Sequence, residues 1–240
     1  MPDLSVNVNK IALLRNSRGQ DTPDVLAIAR QVVACGAAGI TVHPRPDERH
    51  ITYQDVQALS AWLSDQSAEF NVEGYPSDSF VDLVLAARPD QVTLVPDPPG
   101  ALTSAFGWDV VAQFDLLTDV LARFKTEGIR TSLFLDPGEQ PIERLCQLAP
   151  DRVELYTYDY AHGYSDRDVV IRPYVQLAKQ LDDCGIQINA GHDLNLDNLG
   201  FFVTSLPSLK EVSIGHALIC DALQMGLNDA VRAYLALCDT

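Results

Sequence analysis

The stretch GITVHPRPDERHI (39–51) begins with three consecutive β-branched residues, Ile40, Thr41 and Val42, and ends in a knot of imidazoles and guanidiniums: His43, Arg45, Arg49 and His50. Imidazole titrates near neutrality and can give or take a proton, while guanidinium grips carboxylates and phosphates through paired N–H groups. A strand that changes character so abruptly has left a packed interior for a polar mouth. The change recurs along the chain. Asn7, Asn9 and Lys10 close the first such run, Glu73 the third, Asp97 the fourth, Asp136 the fifth, Glu154 and Tyr156 the sixth, Asn189 and His192 the seventh, and His216 the eighth. Four of the five histidines (43, 50, 192 and 216) fall at or just beyond one of these ends. A hydrogen-bonded structural role would explain any one of them; the set points to chemistry. His43 and His192 are candidates for proton transfer. Glu73, at the mouth of a largely apolar interior, is expected to have its carboxyl pushed up by desolvation and to act as a base. IGHALICDAL (214–223) passes from a strand through Gly215 and His216 into a helix start, where backbone N–H groups suit a phosphate. NAGHD (189–193) offers a second glycine turn, although close packing explains a glycine at a strand end equally well. Arg18, Arg45 and His50 supply donors for a second anion.

The elements that must position these residues follow from periodicity. Strand candidates are LSVNV (4–8), GITVHP (39–44), EFNVEGY (69–75), QVTLVPD (91–97), RTSLFLD (130–136), RVELYTY (152–158), QINAGH (187–192) and EVSIGHA (211–217). Helical segments lie between them over 23–36, 52–66, 77–89, 109–128, 141–150, 172–185 and 195–206, with a last one over 221–238. Thr52 and Ser77 can cap helix starts, and ACG, TEG and DCG place glycine where a helix must stop. Eight βα units without a linker predict one α/β domain over 1–240, a TIM (β/α)8 barrel with a few extra helices, whose catalytic face is the C-terminal rim of the strands. A doubly wound open sheet is the weaker alternative, since no G-x-G-x-x-G follows the first strand. The loop PDPPGALTSAFGW (96–108) is long and Pro/Gly-rich, a candidate lid.

Composition narrows the class. The 240 residues are 47% hydrophobic and 21% charged, ordinary for a soluble protein with a sizeable core. No apolar run approaches the ~18 residues of a membrane span, and MPDLSVNVNK lacks the layout of a secretory signal, so a soluble cytoplasmic protein is expected. The net charge of −16 argues against nucleic acid or an anionic membrane as partner. Yet residues 1–50 carry six Lys/Arg against five Asp/Glu, as a local anion site or chance clustering would give. The five cysteines form no CxxC pair, and reduced thiols are expected rather than a disulfide framework or zinc site.

LSVNVNKIALLRNSRG, GITVHPRPDERHI, NVEGYPS, QVTLVPD, RVELYTYDYA, INAGHDLNLDNL and VSIGHALICDAL resemble, in order and spacing, the pyridoxine 5′-phosphate synthase family. The match runs almost end to end. The resemblance implies condensation of 1-deoxy-D-xylulose 5-phosphate with 3-amino-2-oxopropyl phosphate, releasing phosphate and water, with no metal or organic cofactor. By motif, His43 and Glu73 match the family's general bases, His192 its proton donor, and Glu154 a residue that stabilises charged intermediates. Asn7, Arg18, Gly215 and His216 match positions that hold the aminoketone phosphate; Arg45, His50 and Thr103 match those for the deoxyxylulose phosphate. The family implies a homo-oligomer, typically an octamer built from dimers.

The chain departs from the best-known members in three places. It carries Asn9-Lys10 for Asp-His in contact with deoxyxylulose phosphate, Asp193 for glycine, and Tyr156-Thr157-Tyr158 for a His-Thr-Gly turn. Lys10 is expected to grip the same substrate. Asp193, counted among the substrate-binding positions, should repel a phosphate unless it points away or pairs with Lys10 or Arg18. Three alternatives stand beside this reading: a lyase or aldolase with Lys10 as Schiff base, a metal hydrolase using His43, His192, His216 and Glu73, and a phosphosugar-binding protein without turnover.

Overall fold

A computed structural model of the chain describes residues 1–97, 100–101 and 104–240. Eight parallel strands close into a barrel in chain order. They are β1 (Asp3–Asn7), β2 (Gly39–Val42), β3 (Glu69–Gly74), β4 (Gln91–Leu94), β5 (Arg130–Leu135), β6 (Arg152–Leu155), β7 (Gln187–Gly191) and β8 (Leu209–Ile214). β8 returns to β1 with Ser213 opposite Ser5, so the sheet has no free edge.

Around it run α1 (Asn9–Asn16), α2 (Val25–Ala34), α3 (Tyr53–Leu63), α4 (Asp78–Ala87), α5 (Phe114–Thr126) and α6 (Ile142–Leu148). After β6 come the short α7 (Tyr158–His162), a 3-10 turn, α8 (Arg167–Val170) and α9 (Arg172–Asp183); α10 (Leu199–Ser205), α11 (His216–Met225) and α12 (Leu227–Cys238) complete the wall. Thr52 opens α3 with a capping box shared with Asp55, and the Ser77 hydroxyl accepts from the N–H of Phe80 at the start of α4. Gly36, Gly128 and Gly185, at the three helix ends read from sequence, have φ of 108°, 73° and 73°, which only glycine adopts without strain.

Three stretches differ from expectation. The chain after β6, read as strand to residue 158 and without a helix before 172, carries α7 and α8. The segment after β1 is helical from Asn9, so Asn9 and Lys10 lie on the first turn of α1 rather than on an extended strand end. The single helix expected over 221–238 is instead two. α11 begins at His216, directly after β8, and the chain breaks at Gly226 (φ 88°, ψ 149°) before α12.

Within most strands apolar and polar residues alternate, and the apolar set faces the helices. Val6, Val42, Val72, Leu94, Leu133, Leu155, Ala190 and Ile214 belong to one buried cluster with Val32, Leu59, Val84, Phe124, Leu145, Leu177, Phe202 and Tyr234 of the helices. The polar set points inward, which corrects the expectation of a largely apolar interior. Asn189 on β7 donates to Gln91 on β4 at 3.5 Å, and Arg152 on β6 bonds Glu211 on β8 at 2.8 Å. Neither pair is on neighbouring strands, so both contacts are made inside the barrel. Ser5, Thr41, Asn71 and Thr93 form a buried hydroxyl–amide chain above them.

Cys146 on α6 and Cys184 at the end of α9 are joined as a disulfide, their Cα atoms 5.5 Å apart, where free thiols were expected; Cys35, Cys220 and Cys238 are free. Among the described residues no helix is long and apolar enough to cross a membrane.

Candidate active site

The C-terminal rim of the barrel opens into a cavity of about 810 Å³. Asn7, His43, Glu73, Glu154, His192 and His216, which leave six different strands, all line it, together with Asn9, Lys10, Arg45, His50, Asp193 and Gly215. Among the described residues, one expected site residue is not placed there. Arg18 is exposed in the turn after α1 and is not among the lining residues, while Arg15 on α1 pairs with Asp55 on α3 and donates to the carbonyl of His50. Thr103 lies outside the described residues.

His43 follows β2 and is buried; its Nδ1 stands 3.8 Å from Oε2 of Glu73, the penultimate residue of β3. The backbone N–H of His43 donates to Oδ1 of Asn9 at 3.0 Å, and the N–H of Asn9 donates in turn to Oδ1 of Asn7. Asn9 therefore ties the start of α1 to the end of β2. An amide oxygen serves this contact as well as a carboxylate oxygen would.

Burial holds the His43 imidazole well below its ordinary value, helped by the Arg45 guanidinium beside it. His43 is thus neutral, with a lone pair to accept a proton. Burial works in the opposite direction on the acids. The Glu73 carboxyl is pushed up to about 8 by desolvation and then by Asp97 and Glu211, with Arg45 opposing. Glu154 is pushed well above the carboxylate range by desolvation, then by Glu73 and Glu211. Burial therefore favours a neutral imidazole beside a protonated carboxyl.

The basic wall is organised by a carboxylate behind it. Arg45 is buried and bonds Asp97 at 2.6 Å; the Ser104 hydroxyl donates to the same oxygen at 2.8 Å. His50 accepts the N–H of Ile51 on Nδ1 and is lowered to about 4 by burial, then by Arg45, Arg49 and Lys10, against Asp47. Gly215 precedes α11, and His216 is its first residue. A Cβ on Gly215 would lie 3.0 Å from Cβ of Asn7, so the β8 turn and the β1 end meet in close packing.

Asp193 pairs with neither Lys10 nor Arg18. Its Oδ2 lies 2.8 Å from Nδ1 of His192. Tyr156, one of the departures, meets the His192 ring edge-on at 5.4 Å and tilts against Phe134 at 5.2 Å.

The cavity also takes in residues that sequence reasoning left out of the site: Arg49, Ser104, Phe134, His162, Asn195 and Ser213. Arg49 was visible in the basic knot. His162, the fifth histidine, carried no strand-end signal because the short α7 brings it back, stacked 3.8 Å from Tyr158. Among the described residues no group of three or more His, Cys, Asp or Glu side chains is arranged to hold a metal ion.

Comparison with solved structures supports the architecture. A tryptophan synthase chain from M. tuberculosis superposes with a TM-score of 0.67 at 16% identity, covering 100% of this chain and 93% of that one. A phosphoribosyl anthranilate isomerase from Thermotoga maritima gives 0.63 at 14%, covering 100% and 99%. These likenesses concern the fold alone. Sequence relatives are much nearer. A pyridoxine 5′-phosphate synthase from Parabacteroides distasonis is 52% identical over 237 residues, 98% of each chain, and one from Christiangramia forsetii is 50% identical over 238 residues, 99% of each. The family model for the pyridoxal phosphate biosynthesis protein PdxJ matches residues 4–240. With that span and those identities, the chain belongs to the PdxJ family.

Proposed function

We propose that this barrel joins 1-deoxy-D-xylulose 5-phosphate to 3-amino-2-oxopropyl phosphate, forming pyridoxine 5′-phosphate with release of phosphate and water, by acid–base catalysis without a cofactor. The observation that carries the reading is the meeting of His43 and Glu73 3.8 Å apart, in one cavity with Glu154 and His192, where burial favours the neutral imidazole and the protonated carboxyl. Attack of an amine on a ketone, elimination of phosphate and an aldol-type ring closure each need a proton removed at one atom and supplied at another. A base and an acid held side by side serve both needs. His43 takes protons from the amine and carbon centres, Glu73 returns them, and His192 protonates departing oxygen. Glu154, neutral while the site is empty of charge, gives up its proton when a cationic iminium forms beside it and then stabilises that cation.

Two phosphates need two anion sites. The start of α11, with Gly215, His216 and Asn7, suits the aminoketone phosphate; Arg45 and His50 suit the other, with Lys10 adding a charge. Incubating the protein with both phosphates and detecting pyridoxine 5′-phosphate by its fluorescence tests this directly; absence of product sinks it.

A second reading is favoured by Lys10 alone. It lines the cavity and, among the described residues, forms no ion pair. A lysine so placed could form a Schiff base with the ketone. Borohydride trapping with either substrate separates the two readings: a covalent adduct on Lys10 would replace the non-covalent mechanism.

A further inference from the structure

We infer that Asp193 is a positioning residue for His192: its carboxylate holds the Nδ1–H of the imidazole and so makes Nε2 the nitrogen that exchanges a proton with substrate. The inference rests on the reading of His192 as proton donor. Three observations carry it. The first is the contact itself, 2.8 Å between Nδ1 and Oδ2, inside the cavity both residues line.

The second is how firmly the turn is pinned. The Asp193 N–H donates to Oγ1 of Thr157 at 3.3 Å, and that hydroxyl donates to the carbonyl of Gly191. The Asn198 amide donates to the Asp193 carbonyl at 3.4 Å. Thr157 and Asn198 are both buried. His192 itself is held at φ 61°, a left-handed conformation that costs a side-chain-bearing residue energy and persists where surrounding bonds enforce it. Gly191 enters the turn against β8, with no room for a Cβ, which would lie 2.4 Å from the Ser213 carbonyl oxygen.

The third is charge. A carboxylate in a cavity meant for two phosphates opposes binding unless a cation absorbs it. Among the described residues, neither Lys10 nor Arg18 lies within ion-pair distance of Asp193, whereas His192 does.

The consequence for proton transfer is specific. A protonated His192 carries N–H on both nitrogens, and the Nδ1–H is engaged by Asp193. As a substrate C–O bond breaks, the departing oxygen takes the proton from Nε2 and leaves as water. The imidazole is left neutral, its remaining proton still on Nδ1 and facing the carboxylate. This is the tautomer from which Nε2 can be reprotonated for the next turnover.

The test compares Asp193→Asn and Asp193→Ala with the parent. Imidazole 15N spectra of histidine-labelled, substrate-free protein, with the His192 signals assigned by their loss in His192→Gln, should show the Nδ1–H tautomer in the parent. Asp193→Ala should move the population toward Nε2–H. In turnover, both variants are expected to lose about ten- to a hundredfold in kcat, with KM for each phosphate within about twofold. An unchanged tautomer in Asp193→Ala overturns the inference. So does a raised KM with unchanged kcat, which would put Asp193 against substrate. If the parent makes no pyridoxine 5′-phosphate, the functional reading fails, while the spectra still decide whether Asp193 sets the tautomer.

Discussion

A carboxyl pushed up to about 8 at the centre of a catalytic cavity weakens the fold as the pH rises. Folded Glu73 keeps its proton to higher pH than the unfolded residue, whose ordinary value is 4.5, so the native state binds more protons between about 4.5 and 8. Stability from this group is complete below that window and lost as the pH rises through it. Glu73→Gln removes the loss. Its melting temperature relative to the parent should therefore rise from pH 5 to pH 9, while turnover falls at least ~100-fold for want of the acid–base group. A difference that stays flat with pH would show that Glu73 is ionised in the fold. His43 works in the opposite direction. Its folded value lies well below 6.5, so stability falls as the pH drops through 6.5, and His43→Ala should narrow the gap to the parent in acid while losing a similar factor in rate. The types of these residues were legible in the sequence because a polar side chain directly after a β-branched run has few places to go but the rim. The exposure of Arg18 is set by something sequence does not carry: where α1 ends, and the pairing of Arg15 with Asp55, forty residues away.

Among the elements, the turn after β7 is tightly constrained. A Cβ on Gly191 would lie 2.4 Å from the Ser213 carbonyl oxygen and 3.1 Å from Oε1 of Glu154. The nearer obstacle is backbone, which cannot rotate away. Gly191→Ala must therefore push β7 from β8, and overpacking of this kind costs about 1–3 kcal/mol. Because Glu154 and His192 both lie at this seam, kcat should drop more than tenfold even where the variant stays folded. Denaturant unfolding and turnover on the same preparation check both halves, and a variant with parental kcat would show the seam to be plastic. Most strands were read to within a residue or two because each is a short alternating run bounded by turn residues. The misread helices share a cause. α1 begins two residues after β1, too close for its pattern to separate from the strand, and α11 starts at His216, inside a run that continues the strand's hydrophobic pattern. Gly226 sits within a continuous helical period, and only its left-handed backbone shows that the chain turns there.

For the molecule as a whole, the barrel interior is a stack of polar layers rather than an apolar plug, and the alternation in LSVNV, QVTL and RVEL records it: apolar residues outward to the helices, polar ones inward. The β-branched runs mark the outer face in the sequence, and the inner face is the polar half of the same alternation. Its lower layers hold Arg152 bonded to Glu211 at 2.8 Å and to Asn189 at 3.2 Å, with both charged side chains buried. Glu211 is pushed up to about 7 by desolvation, against the downward pull of Arg152, and its charge in turn raises Glu73 and Glu154. The floor of the barrel thus feeds the electrostatics of its mouth. Removing one partner of such a pair strands the other, at a cost of about 3–5 kcal/mol, whereas replacing both by apolar residues is often neutral. Arg152→Met should therefore destabilise the chain strongly at pH 8. At pH 5 the loss should be smaller, because Glu211 takes up a proton and no bare charge remains. Adding Glu211→Leu should recover most of the stability at both pH values and lower the proton affinity of Glu73, moving the alkaline window of the Glu73 effect downward. Denaturant titrations of the three chains at the two pH values measure this. An Arg152→Met penalty equal at pH 5 and pH 8 would mean that Arg152 holds the barrel by packing rather than by neutralising Glu211.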